Sequence, residues 1–200
     1  MTRLPLFAGL AFLCAAPVAG PAVAAPANAS SVADSAFDAA GFRRAHYRAP
    51  VDRPPAPATQ ISLADALLLK PAENALFIDV LPAEGGVRDS ATGQWRLASP
   101  HFTIPGAQWH PETGRSQPDA ALWRALRSAV AAARKASSGI PVVLFCRTDC
   151  WMGWNAARRL AGDGFANVRW LAEGIEGWHE SGRELAVATP VAAGQGTKAE

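Results

Sequence analysis

Two short apolar runs, Leu76–Val80 with one acid and Pro141–Phe145, constrain this chain more than any other feature, and Val168–Leu171 reads as a third strand. A strand with one wet face alternates apolar and polar residues. A run without alternation is buried on both faces, as in a parallel sheet whose crossovers cover both sides. Between these runs the period becomes helical. Asp119 predicts an N-cap, after which Leu122, Leu126, Val130 and Ala133 share one face. Arg124, Arg127 and Arg134 lie opposite and read as a solvated surface. A second helix is predicted from Trp151 to Ala161, stopped by Gly162 and Gly164. Ser62, with Asp65 three residues on, predicts a short helix ended near Pro71, and Ile175–Ser181 a last one. Residues 81–118, rich in Gly, Pro, Ser and Thr, read as a long excursion. Strands alternating with helices predict an α/β domain around a parallel sheet.

The remainder divides by composition. Residues 1–29 read as a secretory signal peptide: Arg3 supplies the positive charge, Leu4–Val18 the apolar core, and Ala22-Val23-Ala24 or Ala27-Asn28-Ala29 the cleavage site. Pro5, Pro17 and Pro21 argue against a membrane anchor. Residues 30–58 form a Pro/Ala-rich arm or linker ending in Pro54-Pro55-Ala56-Pro57. The domain is predicted over 59–186, and residues 187–200 as a flexible tail. The expected mature protein is periplasmic and free of the membrane.

Charge excludes one class of partner. With 19 basic against 17 acidic residues, no basic stripe of the size nucleic acid requires is present. Of three cysteines, Cys14 falls in the signal, which leaves Cys146 and Cys150 in an oxidising compartment. His101, His110 and His179 are scattered and read as surface or supporting residues, so no metal site is expected, and no cofactor.

Ligands of open α/β sheets bind beyond the carboxyl ends of the strands. Cys146 stands there, directly after the run ending at Phe145, and Arg147-Thr148-Asp149-Cys150 forms the loop leading to the helix at Trp151. Converging loop amides, the helix N-terminus and Arg147 would all favour a Cys146 thiolate, a nucleophile. The enzymatic reading depends on that sulfur being charged and open. Two other chemistries are excluded by spacing. A cysteine phosphatase ends its loop in an arginine, where this chain has Met152. Haem attachment needs Cys-x-x-Cys-His, and here three residues separate the cysteines and Trp151 follows.

These residues resemble the rhodanese domain. The resemblance rests on Val142–Arg147, Gly164–Val168 and Leu171–Trp178, on Leu76–Val80 with its acid Asp79, and on the turn Ile104–Ala107. Cys146–Trp151, a Cys-x-x-x-Cys-Trp motif, is similar to that of exported rhodanese-like proteins associated with pyrroloquinoline-quinone (PQQ)-dependent catabolism. The resemblance implies a three-layer fold with a five-stranded parallel sheet. It gives Cys146 the role of persulfide-bearing sulfur acceptor, residues Arg147, Thr148, Asp149, Cys150, Trp151 and Met152 that of its cradle, and Asp79 that of a structural acid. The partners implied are a small sulfur donor or thiol, and a quinoprotein dehydrogenase or its cytochrome c. The chain itself shows no feature for holding the quinone.

Three residues depart from the ordinary rhodanese loop. Asp149 would repel anions, Trp151 would cover the pocket or face a partner, and Cys150 adds a second thiol. Cysteines four apart in a turn come within disulfide range. Cys146 could then attack and Cys150 resolve. Alternatively the pair forms a structural disulfide, or stays as two free thiols or metal ligands. With a structural bridge, the protein would be a non-catalytic binding module, its arm and Trp151 engaging a partner.

Overall fold

The computed structural model describes residues 36–194. The expected signal segment, Cys14 and residues 195–200 lie outside them. The predicted α/β architecture is present. Strands β1 (Thr59–Ile61), β2 (Leu76–Asp79), β6 (Gln108–Trp109), β7 (Val142–Phe145) and β8 (Val168–Leu171) form a five-stranded sheet in the order β1-β8-β7-β2-β6. Every pairing in it is parallel. All residues of β2 and β7 are buried, as their unalternating sequences require.

Helices α1 (Leu63–Leu67), α2 (Ala120–Ala136), α3 (Trp151–Gly162) and α4 (Gly174–Glu180) connect the strands. The Ser62 hydroxyl accepts from the Asp65 N–H at 3.1 Å, and Asp119 caps α2 by accepting from Ala121 and Leu122. Leu122, Leu126 and Val130 turn into the core from α2. Its arginine face is only partly a solvated surface. Arg127 pairs with Asp163 at 3.4 Å, and Arg134 donates to the Ala166 carbonyl, so both tie α2 to the turn after α3.

The long excursion is more ordered than its composition suggests. It holds the hairpin β3 (Val87–Arg88) with β4 (Trp95–Arg96), and β5 (His101–Thr103), which pairs antiparallel with β9 (Ala186–Ala188). That pairing, and buried Ala193, show that the tail is anchored through residue 194.

Residues 36–58 contain no helix or extended strand, only isolated bridges, but they are not a free linker. Ala36, Pro55 and Ala58 are buried. The buried Asn155 side chain of α3 accepts from the Arg43 N–H at 2.9 Å and donates to the Arg43 carbonyl at 2.8 Å. Trp154 donates through Nε1 to the Arg53 carbonyl. Arginines of both segments lie over aromatic rings: Arg43 and Arg53 over Trp151, Arg158 and Arg159 over Phe42. Composition missed this docking because Ala, Pro and Arg resemble a linker until Phe37, Phe42 and Tyr47 are counted as anchors.

Candidate functional site

The carboxyl ends of β2 and β7 converge with the loop Cys146–Cys150, and two neighbours clamp that loop. On one side Arg147 forms a bridge with Gly174, and Ile175 N–H donates to the Cys146 carbonyl at 2.9 Å. A Cβ on Gly174 would collide with that carbonyl, and its φ of +58° also requires glycine. Thr148 adds a hydroxyl bond to the Glu173 carbonyl and an amide bond to the Glu176 carboxylate. On the other side the docked arm bridges Arg48 to Cys150. Ala49 N–H donates to the Asp149 carbonyl, and Trp151 N–H to the Tyr47 carbonyl.

Both cysteines are free thiols and both are buried, but their surroundings differ. The Cys146 thiol donates to the Cys150 carbonyl at 3.1 Å and accepts one amide, Gly153 N–H, also at 3.1 Å. Gly153 approaches this closely because a Cβ there would press on the Trp170 ring nitrogen and the backbone at the end of β7. Burial pushes the Cys146 thiol well above its ordinary value, and the neighbouring Cys150 and Asp79 push it the same way. The expected open thiolate at Cys146 is therefore overturned. Arg147 lies out toward Glu176, 4.0 Å away, and does not fold back over the sulfur.

The electrostatic features expected at Cys146 act instead on Cys150. The adjacent Cys146 thiol draws the Cys150 thiol down to about 7, against its burial, helped by the amides of Met152 and Arg147 and by the charge of Arg48. Cys150 lines a cavity of about 540 Å³, together with Tyr47, Arg48, Arg115, Arg147 and Met152. Leu81 and Arg147 also border two smaller adjoining cavities that reach His101.

The remaining candidates fall into place around this centre. Asp79 is fully buried and satisfied: it accepts from the Leu81 N–H at 2.8 Å and from the Thr103 hydroxyl at 2.7 Å, and meets His101 Nε2 at 2.7 Å. His110 is buried rather than at the surface, which pulls its pKa down to about 4. Asp149 faces a separate cavity with Val51 and Trp170, so it does not stand against anions approaching Cys150. Trp151 neither covers the pocket nor faces a partner. It is buried under the arm, edge-on to Phe37 at 5.2 Å. Sequence reasoning missed Tyr47, Arg48 and Arg115; their spacing from the cysteines carries no local signal. Among the described residues no group of three or more His, Cys, Asp or Glu is gathered to hold a metal ion.

A parallel five-stranded α/β sheet with a cysteine loop after its central strand defines the class of protein. Residues 64–181, more than half the chain, match the rhodanese-like domain, and the chain belongs to that family. Among solved structures, the solution structure of the polysulfide-sulfur transferase homodimer from Wolinella succinogenes is similar at 18% identity over 72% of this chain and 83% of that one, with a TM-score of 0.37. A search of the curated proteins finds no match. Among the described residues no helix is long and apolar enough to cross a membrane.

Proposed function

We propose that this protein transfers sulfur, or exchanges disulfides, through Cys146 and Cys150, with Cys150 as the attacking sulfur. The observation that carries this reading is the placement of Cys150 at the cavity, beside Arg48, with its backbone carbonyl accepting from the buried Cys146 thiol. The Cys150 thiolate attacks the terminal sulfur of an organic persulfide, R–S–SH. A new S–S bond forms to Cys150, the donor's S–S bond breaks, and R–S⁻ leaves. Cys146 is placed to receive the sulfur next. Its attack on the outer sulfur of the Cys150 persulfide forms an S–S bond to Cys146 and breaks the one to Cys150; the outer sulfur keeps its proton, and the Cys146 proton passes to the departing Cys150 sulfur, which loses it to solvent to regain the thiolate. The persulfide on Cys146 is then the stored form, sealed from water.

The wider context follows from the resemblance of Cys146–Trp151 to the Cys-x-x-x-Cys-Trp motif and from the apolar amino-terminal segment. We place the protein in the periplasm, exported by its signal peptide and serving PQQ-dependent alcohol catabolism. Its partners there would be a small sulfur donor or thiol and a quinoprotein dehydrogenase or its cytochrome c.

Incubation with an organic persulfide, followed by peptide mass spectrometry, tests the sulfur-transfer reading. The expected result is one added sulfur atom on the Cys146–Cys150 peptide of the wild type, retained on Cys150 in Cys146→Ala and lost in Cys150→Ala. A peptide that takes up no sulfur and carries a Cys146–Cys150 bridge resistant to thiol reductants would instead establish the non-catalytic binding module.

A further inference from the structure

The cavity at Cys150 is walled on one side by the arm, and the arm supplies it with an exposed cation, Arg48. The bridge between Arg48 and Cys150 fixes Arg48 beside the sulfur. The neighbouring Tyr47 is pinned twice: its hydroxyl accepts from Ser116 N–H at 3.1 Å, and the Arg115 guanidinium lies over its ring. Arg115 is engaged by Glu112 at 2.6 Å, and Arg147 faces Glu176. Arg48, exposed at the rim, is paired with no carboxylate among the described residues. Leu81, Pro82, Ala83 and Met152 give the wall an apolar stretch, while Glu84, Gly85, Gly86 and the Arg115-paired Glu112 complete it, so the carboxylates of Glu84 and Glu112 are also part of the lining. At about 540 Å³ the cavity is in the range of sites that enclose an organic molecule.

Building on the sulfur chemistry proposed above, we infer that this cavity selects organic disulfides or persulfides that carry a carboxylate, and that Arg48 reads the carboxylate while Cys150 attacks the sulfur. The apolar stretch accommodates the organic body, and a guanidinium matches a carboxylate bidentately. The arm is thus a wall of the binding site, and specificity rests on a residue outside the segment that matches the family. In the exchange step the Cys150 thiolate displaces R–S⁻ from R–S–S–R, so that one S–S bond forms as another breaks.

Arg48 also stabilises the Cys150 anion, so the test must separate recognition from reactivity. The full-length protein is treated with dithiobis(nitrobenzoate), a disulfide with a carboxylate on each ring, and with neutral dithiodipyridine. Each rate is divided by that of a small free thiol. The expected wild-type preference for the anionic reagent falls about tenfold in Arg48→Ala and is largely kept in Arg48→Lys. Should Arg48→Ala be poorly folded, the same preference is read in the wild type against added salt, which slows the anionic reagent selectively. Equal slowing of both reagents in Arg48→Ala would show that Arg48 only tunes the sulfur, and would overturn this inference while leaving the sulfur chemistry intact. Failure of Cys150 to react with either reagent would overturn both.

Discussion

The floor and the rim of the cysteine loop lie four residues apart and place the same side chain in opposite states. At the floor, Cys146 ends a strand buried on both faces, receives a single amide and donates its own proton to a carbonyl. At the rim, Cys150 sits at the start of α3, near two amides and an arginine, and borders a cavity. Desolvation dominates the first position, and at the second the adjacent Cys146 side chain, two amides and Arg48 together outweigh burial. A strand-end position in the sheet is therefore not enough to make a nucleophile. The residue that borders the cavity, with Arg48 beside it, takes that role.

The largest expected effect comes from breaking the floor. Gly174→Ala forces a Cβ against the Cys146 carbonyl at a left-handed φ, and should cost roughly 3 kcal/mol in urea-induced unfolding. A cost below about 1 kcal/mol would mean that the loop is not held from this side. The rim is attacked through the arm. Asn155→Ala removes the side chain that bonds both backbone groups of Arg43 and the Gly114 carbonyl, for an expected loss of about 2 kcal/mol. Hydrogen exchange should then rise at Arg43 and at Trp151, whose amide the arm covers; unchanged protection at Trp151 would separate the arm from the loop.

The smallest effect sharpens the contrast itself. Cys150 has a lowered pKa, so its thiolate accumulates as pH rises through about 7 and is lost below it. Cys146→Ala removes the thiol that is the main cause, and the midpoint for Cys150 alkylation should move up toward the ordinary thiol value of about 8.5. A midpoint that stays near 7 would assign the effect to the amides and Arg48 alone.

Much of the fold could be read from periodicity, because β2 and β7 are buried on both faces and their sequences carry no alternation. Strands β1 and β6 could not be read this way: they are two or three residues long, and Thr59, Gln60 and Gln108 are exposed. The position of Cys146 at the end of β7 was legible for the same reason that β7 was. The order of the two thiols was not, since it depends on where each sulfur points once the arm has closed over the loop. The arm escaped notice because its anchors are single aromatic residues spaced through Ala, Pro and Arg, with no period to detect.

The central claim, that Cys150 is the reactive thiolate at the cavity wall and Cys146 its sealed partner, is tested most directly by pH-resolved alkylation of the reduced, folded protein with iodoacetamide, mapped by peptide mass spectrometry. The account predicts labelling of Cys150 with a midpoint near 7, and of Cys146 only after unfolding. Labelling of Cys146 first at neutral pH, with Cys150 protected, would contradict it.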